Sequence, residues 1–469
     1  MSNSHKGGDG TQAPNEREVS RRDLLKHGAS AVAGASLLVV SGNTLGGTAF
    51  AQAPAIATGT QAGRRFRAYL TPPGQRARGV DTVTLNAIHE HQVLIRTEAA
   101  QACYSIVNLL GPAPAPPAPA PGAPPPPPPA AAIGGHGGVG IVEAVGSSVR
   151  RVQVGERVIV PVTANCGQCW NCLRSRGDFC TAAAGRPVFP VGAMSDGTPV
   201  NGTLGGFAEL MVAWEEQTVP VAVNASSAEL SLLSCVMSTG LGLALKRMPI
   251  EPGSDVLVLG AGPLGLSAVQ GARIQGASQI IVVEPVQYRR DLATKVGATT
   301  VLDPNAFSLA DLTTKIRELC MPKVNRSFAG ARGPNLAAYG PMYILEAVGG
   351  DRFPPKVPSG PDPTGVQSLQ LAWNVCPTGG IIRTCGVGQG ANATITFPAG
   401  QWSNAGKTHL PGNFAGVNTF RDIPTFAKFI DTKQFDAKSL VGETFLLERS
   451  KEALQVAADR TSISSVVTF

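Results

Sequence analysis

The sequence predicts an α/β protein: a β-rich first half, then a doubly wound parallel sheet. Three observations predict this. Val256-Leu257-Val258-Leu259 is a continuous apolar strand that runs into Gly260-Ala261-Gly262-Pro263-Leu264-Gly265 and the helical text LSAVQGARIQG. A second apolar strand, Ile280 to Val283, ends at Glu284. Upstream, short segments such as Gln92-Val93-Leu94-Ile95-Arg96 alternate or carry strand-type residues between turn signals.

The strand, glycine-rich turn and helix form a βαβ unit in the context that binds a dinucleotide. Gly260 makes the turn, Gly262 lets a pyrophosphate approach the backbone, and Gly265 packs helix on strand. Pro263 and Leu264 open the helix, whose N-terminal amides and partial positive charge suit phosphates. Glu284 can accept both ribose hydroxyls and would repel a 2′-phosphate, which favours NAD over NADP. An ordinary glycine-rich turn would lack the flanking strands and the acid. Thr300-Val301-Leu302, Tyr343 to Glu346 and Gly380 to Thr384 read as later parallel strands. Two Pro/Gly-rich stretches, near residues 321–341 and 351–365, read as surface insertions.

The second informative stretch runs from Gly134 to Cys180. It holds His136 between glycines and four closely spaced cysteines, Cys166, Cys169, Cys172 and Cys180. Such spacing lets one short lobe wrap a tetrahedral metal with four thiolates, as in a closed zinc site. A pair of disulfides is the alternative, but adjacent CxxC pairs bridge poorly in so tight a loop. Around this lobe, Val139 to Val145 and Glu156 to Val162 read as strands. Residues 204–224 read as a further strand pair, and Ser226 to Leu245 as a helix carrying Cys235. Cys103 follows the Gln92 strand and is expected to begin a helix.

Length and composition bound the rest. With 469 residues, two domains are the natural expectation, and a hydrophobic content of 43% is enough for sizeable cores. The formal charge of +7 comes from scattered basic residues without a Lys/Arg run, which argues against nucleic acid as a partner. Nine cysteines at irregular spacing do not make a disulfide framework. Ser20-Arg21-Arg22-Asp23-Leu24-Leu25-Lys26, a weakly apolar Ala/Gly-rich run and Ala49-Phe50-Ala51 resemble a twin-arginine (Tat) export signal. The run is too short and too glycine-rich to span a bilayer, so no stable membrane insertion is expected. The expectation is export by the Tat translocase to a periplasmic or extracellular location. That route carries folded proteins, so metal and dinucleotide can be loaded in the reducing cytoplasm. Residues 111–132 are low complexity and expected to be polyproline II or disordered.

With these pieces assembled, the chain from about residue 64 onward resembles the zinc-containing alcohol dehydrogenases of the medium-chain dehydrogenase/reductase family. The resemblance rests on the four-cysteine lobe followed by the Rossmann unit, and it implies a GroES-like β-rich catalytic domain with a Rossmann domain inserted late. The expected layout is a signal at 1–51, the GroES-like first part at 52–225 (insertion 111–132, zinc lobe 166–180), the Rossmann domain at 226–390 and the catalytic domain's C-terminal part at 391–469. The resemblance assigns Cys166, Cys169, Cys172 and Cys180 to a structural zinc and Cys103, His136 and Cys235 to a catalytic zinc. Two zinc ions per chain and NAD are therefore the expected cofactors. Ser105 matches a residue that takes the alcohol proton, Thr239 one lying against the nicotinamide, and Arg289 one at the adenosine ribose. The implied activity is hydride transfer between an alcohol or aldehyde and NAD, in a homo-oligomer.

The chain departs from the family at several of these places. Gly137 follows His136 where a glutamate is usual, and Ile106 stands where an aspartate orients the ligand histidine. Tyr104 replaces a basic residue at the pyrophosphate, Asn108 a relay histidine, and the C-terminal ISSVVTF lacks a basic residue. These changes fall on proton relay and phosphate contact. They point to a tightly held nicotinamide reset by a second substrate. The alternative from another class is a non-catalytic exported zinc- and dinucleotide-binding protein that docks through its proline tract.

Overall fold

The computed structural model describes residues 61–73, 78–111, 129–182, 186, 189–202, 204–247, 250–322, 338–386, 394–411 and 413–469. The expected signal (1–51), most of the proline tract (112–128) and part of the 321–341 stretch lie outside them.

The second half is built on six parallel strands. Across the sheet they run Thr300–Leu302, Gln279–Val283, Asp255–Leu259, Tyr343–Glu346, Ile381–Thr384 and Thr408–Pro411. Numbered along the chain this is the order 3-2-1-4-5-6 of a doubly wound dinucleotide fold. The strands are apolar throughout because helices cover both faces. Leu257, Leu259, Ile281 and Ile344 pack with Leu312, Ile316 and Leu371 on one side. Val256, Val258, Ile280 and Leu345 pack with Leu266, Val269 and Ala293 on the other. The sheet continues to Pro411, past residue 390 where the sequence placed its end.

The first half is β-rich, as expected. Arg65–Thr71, Gly79–Leu85, Pro190–Ala193, Pro199–Asn201 and Ala131–Ile133 close a small barrel. A seven-stranded sheet is centred on Gln92–Gln101, with Gly138–Val145 along one edge. Leu210–Trp214 and the C-terminal Ser465–Thr468 share its other edge, so the last residues of the chain complete a sheet begun near its start. Residues 204–224 thus do not pair with one another: Val219–Pro220 joins Arg157–Val160 instead. Ala131 and Ala132, expected to be unstructured, sit in the barrel, because past Pro129 every backbone N–H can again donate to a ladder.

The expected helix from Ser226 to Leu245 is broken. Ser227–Ser231, with a Ser226/Glu229 capping box, leads through a 3-10 turn to Cys235, whose φ −144° and ψ −83° are not helical. Val236–Leu245 then sets off at 61° to the preceding run. This second helix is almost wholly buried. Its C-terminal carbonyls are satisfied by buried Arg383, whose Nη1 donates to Gly242 O at 2.9 Å and Leu243 O at 2.8 Å. Among the described residues no single helix is long and apolar enough to cross a membrane.

The cysteine lobe is tied to helix Thr419–Asp431. Buried Asn165 donates Nδ2 to Gly177 O at 2.6 Å and accepts from Thr419 Oγ1 at 3.0 Å. Asp422 on that helix accepts from Lys246 Nζ at 2.8 Å, Arg421 Nε at 2.7 Å and Asn418 N at 2.8 Å. Burial raises its pKa, but the bonds from Arg421, Lys246 and Asn418 outweigh it and the net shift is downward. A depressed carboxylate stabilises the fold above its unfolded pKa and stops doing so as pH falls through its folded one. Asp422→Asn should therefore lower stability at neutral pH by about 3 kcal/mol. The gap between variant and wild-type denaturation curves should narrow below about pH 4. A gap that stays constant with pH would refute the assignment.

Candidate active site

Three elements end at one place. Cys103 closes the strand Gln92–Gln101 in extended conformation, and a 3-10 turn, Tyr104–Leu110, begins directly after it. His136 lies between the barrel strand Ala131–Ile133 and the strand Gly138–Val145. Cys235 sits at the break between the two helices. Their ligand atoms lie within 4.8 Å of one another, and the Cys103 and Cys235 sulfurs are 4.0 Å apart. Two thiolates held ~2.3 Å from a tetrahedral zinc stand ~3.8 Å apart, so this donor set fits such an ion. Ser105 Oγ donates to Cys103 Sγ at 3.2 Å and lies 2.8 Å from His136 Nε2. Thr239, one turn along the helix, donates to Cys235 O at 2.8 Å.

The electrostatics of the three groups are linked. The Cys103 thiol is held well below its usual range, first by the hydrogen bond from Cys235 and also by the charge of His136, against burial. Cys235 is pushed well up because it donates that bond and is buried. Burial lowers the pKa of His136, but the Cys103 thiolate outweighs it and the net shift is upward.

Two features of His136 separate it from an ordinary ligand histidine. Among the described residues its Nδ1 is buried without a hydrogen-bond partner. A ligating histidine generally donates its second nitrogen to a carboxylate, carbonyl or water, and Ile106 on the Ser105 turn cannot accept. The neighbouring Gly137 has φ +66°, and a Cβ there would meet Val160 O at 2.1 Å. The glutamate missing from this position is therefore excluded by the path of the backbone.

The four-cysteine lobe has its own logic. Its sulfurs also lie within 4.8 Å of one another. Backbone amides point at them: Cys169 N to Cys166 Sγ at 3.3 Å, Cys172 N to Cys169 Sγ at 3.5 Å, and Cys166 N to Cys180 Sγ at 3.4 Å. Burial raises the Cys180 thiol and pushes that of Cys172 up to about 12. At Cys169 amide donors outweigh burial and bring the value to about 5. None of the nine cysteines is in a disulfide. Four convergent thiols with amide donors suit a tetrahedral metal better than paired bridges.

A cleft of about 490 Å³ joins the Cys103–His136–Cys235 set to the glycine-rich turn. Cys103, Ser105, His136, Cys235 and Thr239 line one part; Gly260, Gly262, Pro263, Leu264, Glu284 and Arg289 line another. Gly265 lies behind the turn, where a Cβ would meet Gly260 O at 1.9 Å, so no larger residue fits. Glu284 is buried and also braces the turn, its Oε2 accepting from Ala261 N at 2.6 Å. The stretch 351–365 is not an inert surface insertion. Asp351, Arg352 and residues 360–362 line the cleft, and Arg352 N donates to Tyr104 Oη at 2.8 Å. These residues, and Arg460 beside them, carried no local signal in the sequence, since they act only once the two halves are packed together.

A doubly wound sheet, a β-rich domain and a Cys–His–Cys set sharing its cleft with a glycine-rich turn define a metal-binding dehydrogenase-type oxidoreductase. Comparison with known proteins is consistent with that class. The alcohol dehydrogenase GroES-like domain family matches residues 89–223, and the zinc-binding dehydrogenase family matches residues 263–357. S-(hydroxymethyl)glutathione dehydrogenase of Saccharomyces cerevisiae is 31% identical over 245 residues, 50% of this chain and 60% of that protein. NDMA-dependent alcohol dehydrogenase of Amycolatopsis methanolica is 26% identical over 399 residues, 83% of this chain and 94% of that one. The solved alcohol dehydrogenase zinc-binding domain protein of Burkholderia ambifaria shares the fold, with a TM-score of 0.69 at 22% identity over 87% of this chain and 99% of its own. Residues 89–223 and 263–357 thus match the two domains of zinc-binding alcohol dehydrogenases, and the chain is an alcohol dehydrogenase-like oxidoreductase.

The backbone at Gly137 makes a direct prediction. Gly137→Ala should cost more than about 2 kcal/mol, from positive-φ strain and the collision with Val160 O. Gly137→Glu should cost at least as much. Thermal melts of both variants check this, and a melting point within a degree of wild type would show that the loop has room.

Proposed function

We propose that the protein is an exported zinc-dependent oxidoreductase that moves a hydride between an alcohol or aldehyde and NAD, and that it keeps the nicotinamide bound between turnovers. The observation that carries the reading is the single cleft shared by Cys103, His136, Cys235 and the glycine-rich turn. Three protein ligands leave a fourth position for a substrate oxygen. A zinc ion there supplies Lewis acidity that lowers the pKa of an alcohol. Cys166, Cys169, Cys172 and Cys180 would hold a second, structural zinc.

The chain's own groups do the rest. Ser105 Oγ accepts a hydrogen bond from the substrate hydroxyl and takes its proton as it gives up its own hydroxyl proton to water at the cleft mouth. Thr239, on the helix that carries Cys235, fixes the position of the nicotinamide ring. Gly262, Pro263 and Leu264 present the helix N-terminus to the phosphates. Glu284 accepts from the ribose hydroxyls, which selects NAD, and Arg289 lies at the same ribose. Export through the twin-arginine route fits this chemistry, because zinc and nucleotide are loaded before the protein leaves the cytoplasm. Free nicotinamide is scarce outside it, so a retained cofactor reset by a second substrate is the consistent mode. The active species is a homo-oligomer. The unpartnered Nδ1 of His136 favours one competing reading, a zinc- and dinucleotide-binding protein without turnover.

Metal and nucleotide analysis of the purified mature protein separates the two. The enzyme should carry two zinc ions and a bound nicotinamide nucleotide per chain, by mass spectrometry and absorbance. Cys235→Ser should lose one zinc and all activity; unchanged activity would exclude the catalytic centre. Retention of the two ions should also differ. A chelator should remove one well before the other, and Ile106→Asp, by giving Nδ1 an acceptor, should slow the first loss by about tenfold or more. Equal loss rates from both sites would show that Nδ1 finds a partner after all.

A further inference from the structure

The cleft contains cations that the reading above does not use. Arg352, half-buried, donates Nη1 to the carbonyl of Ser105, and its backbone N–H donates to Tyr104 Oη. Tyr104 Oη also accepts from Arg460 Nη2 at 3.0 Å, and the Arg460 guanidinium lies 4.8 Å from the centre of the Tyr104 ring. Arg460 is ion-paired with Asp351. Its carbonyl accepts from Tyr288 Oη at 2.9 Å, and Tyr288 Oη in turn accepts from Arg289 Nε at 3.1 Å. One chain of contacts therefore runs from Arg289, beside Gly262, to the Ser105 turn.

Two points single out Arg352. Among the described residues, neither Arg352 nor Arg289 pairs with a carboxylate, although both line the cleft. A partly desolvated guanidinium without an acid is a site for an anion. Arg460 is the left-handed C-cap of the helix Ser450–Asp459, with φ +57°. Its contacts with Asp351 and Tyr104 join that helix to the 351–365 stretch and the Ser105 turn. The adjacent Lys356–Asp459 pair, at 2.7 Å, closes the same seam.

We propose that Arg352 binds the pyrophosphate of the dinucleotide, opposite the Gly262 turn, and that Tyr104, Asp351 and Arg460 are the residues that position it. The proposal rests on the dinucleotide reading of this cleft. It accounts for phosphate binding in a chain whose residue 104 is tyrosine and whose C-terminal strand carries no base. It also gives the retained cofactor a physical cause, since the same residues lace both halves of the protein over it.

The test is calorimetric titration of the nucleotide-stripped mature protein with ADP-ribose, which carries the pyrophosphate, and with adenosine, which does not. Arg352→Gln should weaken ADP-ribose by about tenfold or more and leave adenosine within about twofold. Arg352→Lys should recover part of the loss, and zinc content should be unchanged in both. ADP-ribose bound by Arg352→Gln as by wild type, or adenosine lost in parallel, would overturn the proposal. Arg460→Gly keeps the left-handed backbone accessible while removing the Asp351 and Tyr104 contacts. Titrated at a temperature where it is fully folded, it should bind ADP-ribose several-fold more weakly and adenosine within about twofold; unchanged affinity would remove Arg460 from the positioning set. Wild-type protein that binds neither NADH nor ADP-ribose would end the cofactor reading itself, and the proposal with it.

Discussion

The helix Val236–Leu245 is the part on which both halves depend. Its start supplies Cys235 and Thr239 to the cleft, and Leu241 and Ala244 share a core with Leu266 and Ala268 behind the glycine-rich turn. Its end is held by Arg383, a buried cation from the parallel sheet that takes helix carbonyls as its acceptors. Shifting this helix would move a metal ligand, the wall of the dinucleotide site and the Arg383 contacts together. The non-helical backbone at Cys235 is what lets one segment serve both domains, because it frees the thiol from the helix it precedes.

The cleft has two regions with opposite electrostatic needs. At Cys103, His136 and Cys235 two sulfurs and an imidazole converge within 4.8 Å of one another, a donor set that suits a cation. Around Gly262, Arg289 and Arg352 a helix N-terminus and two guanidiniums that pair with no carboxylate among the described residues suit an anion. A metal and a dinucleotide would thus suit different parts of one cavity, with the substrate where the two parts meet. Ser105 lies at that junction: its hydroxyl touches the thiol and imidazole, and its carbonyl accepts from Arg352.

Much of this was legible in the sequence, for local reasons. The apolar strand before Gly260 and the acid at Glu284 need only nearest neighbours to be read, and the parallel sheet follows from them. The cysteine lobe is equally local, since four thiols in one short loop cannot avoid one another. Cys103, His136 and Cys235 were each ambiguous alone; they were found by resemblance, and the structure brings them together. The continuous helix expected across Cys235 was wrong because propensity cannot register a bend imposed by packing. The 351–365 stretch was misjudged because Pro and Gly content describes flexibility in an isolated chain, not what the chain is pressed against.

Sequence alone therefore determined the strand–turn–helix unit of the parallel sheet and the four-cysteine lobe, both governed by short-range periodicity and spacing, while the β-rich domain's type came from resemblance. Tertiary structure decided what lies far apart in the chain. It showed that Gly137 leaves no room for a side chain, because Val160 O stands where a Cβ would go. It showed that His136 Nδ1 has no partner among the described residues and that Arg352, Tyr104 and Arg460 meet across the cleft. These are facts of close packing and charge placement between distant segments, and no local pattern encodes them.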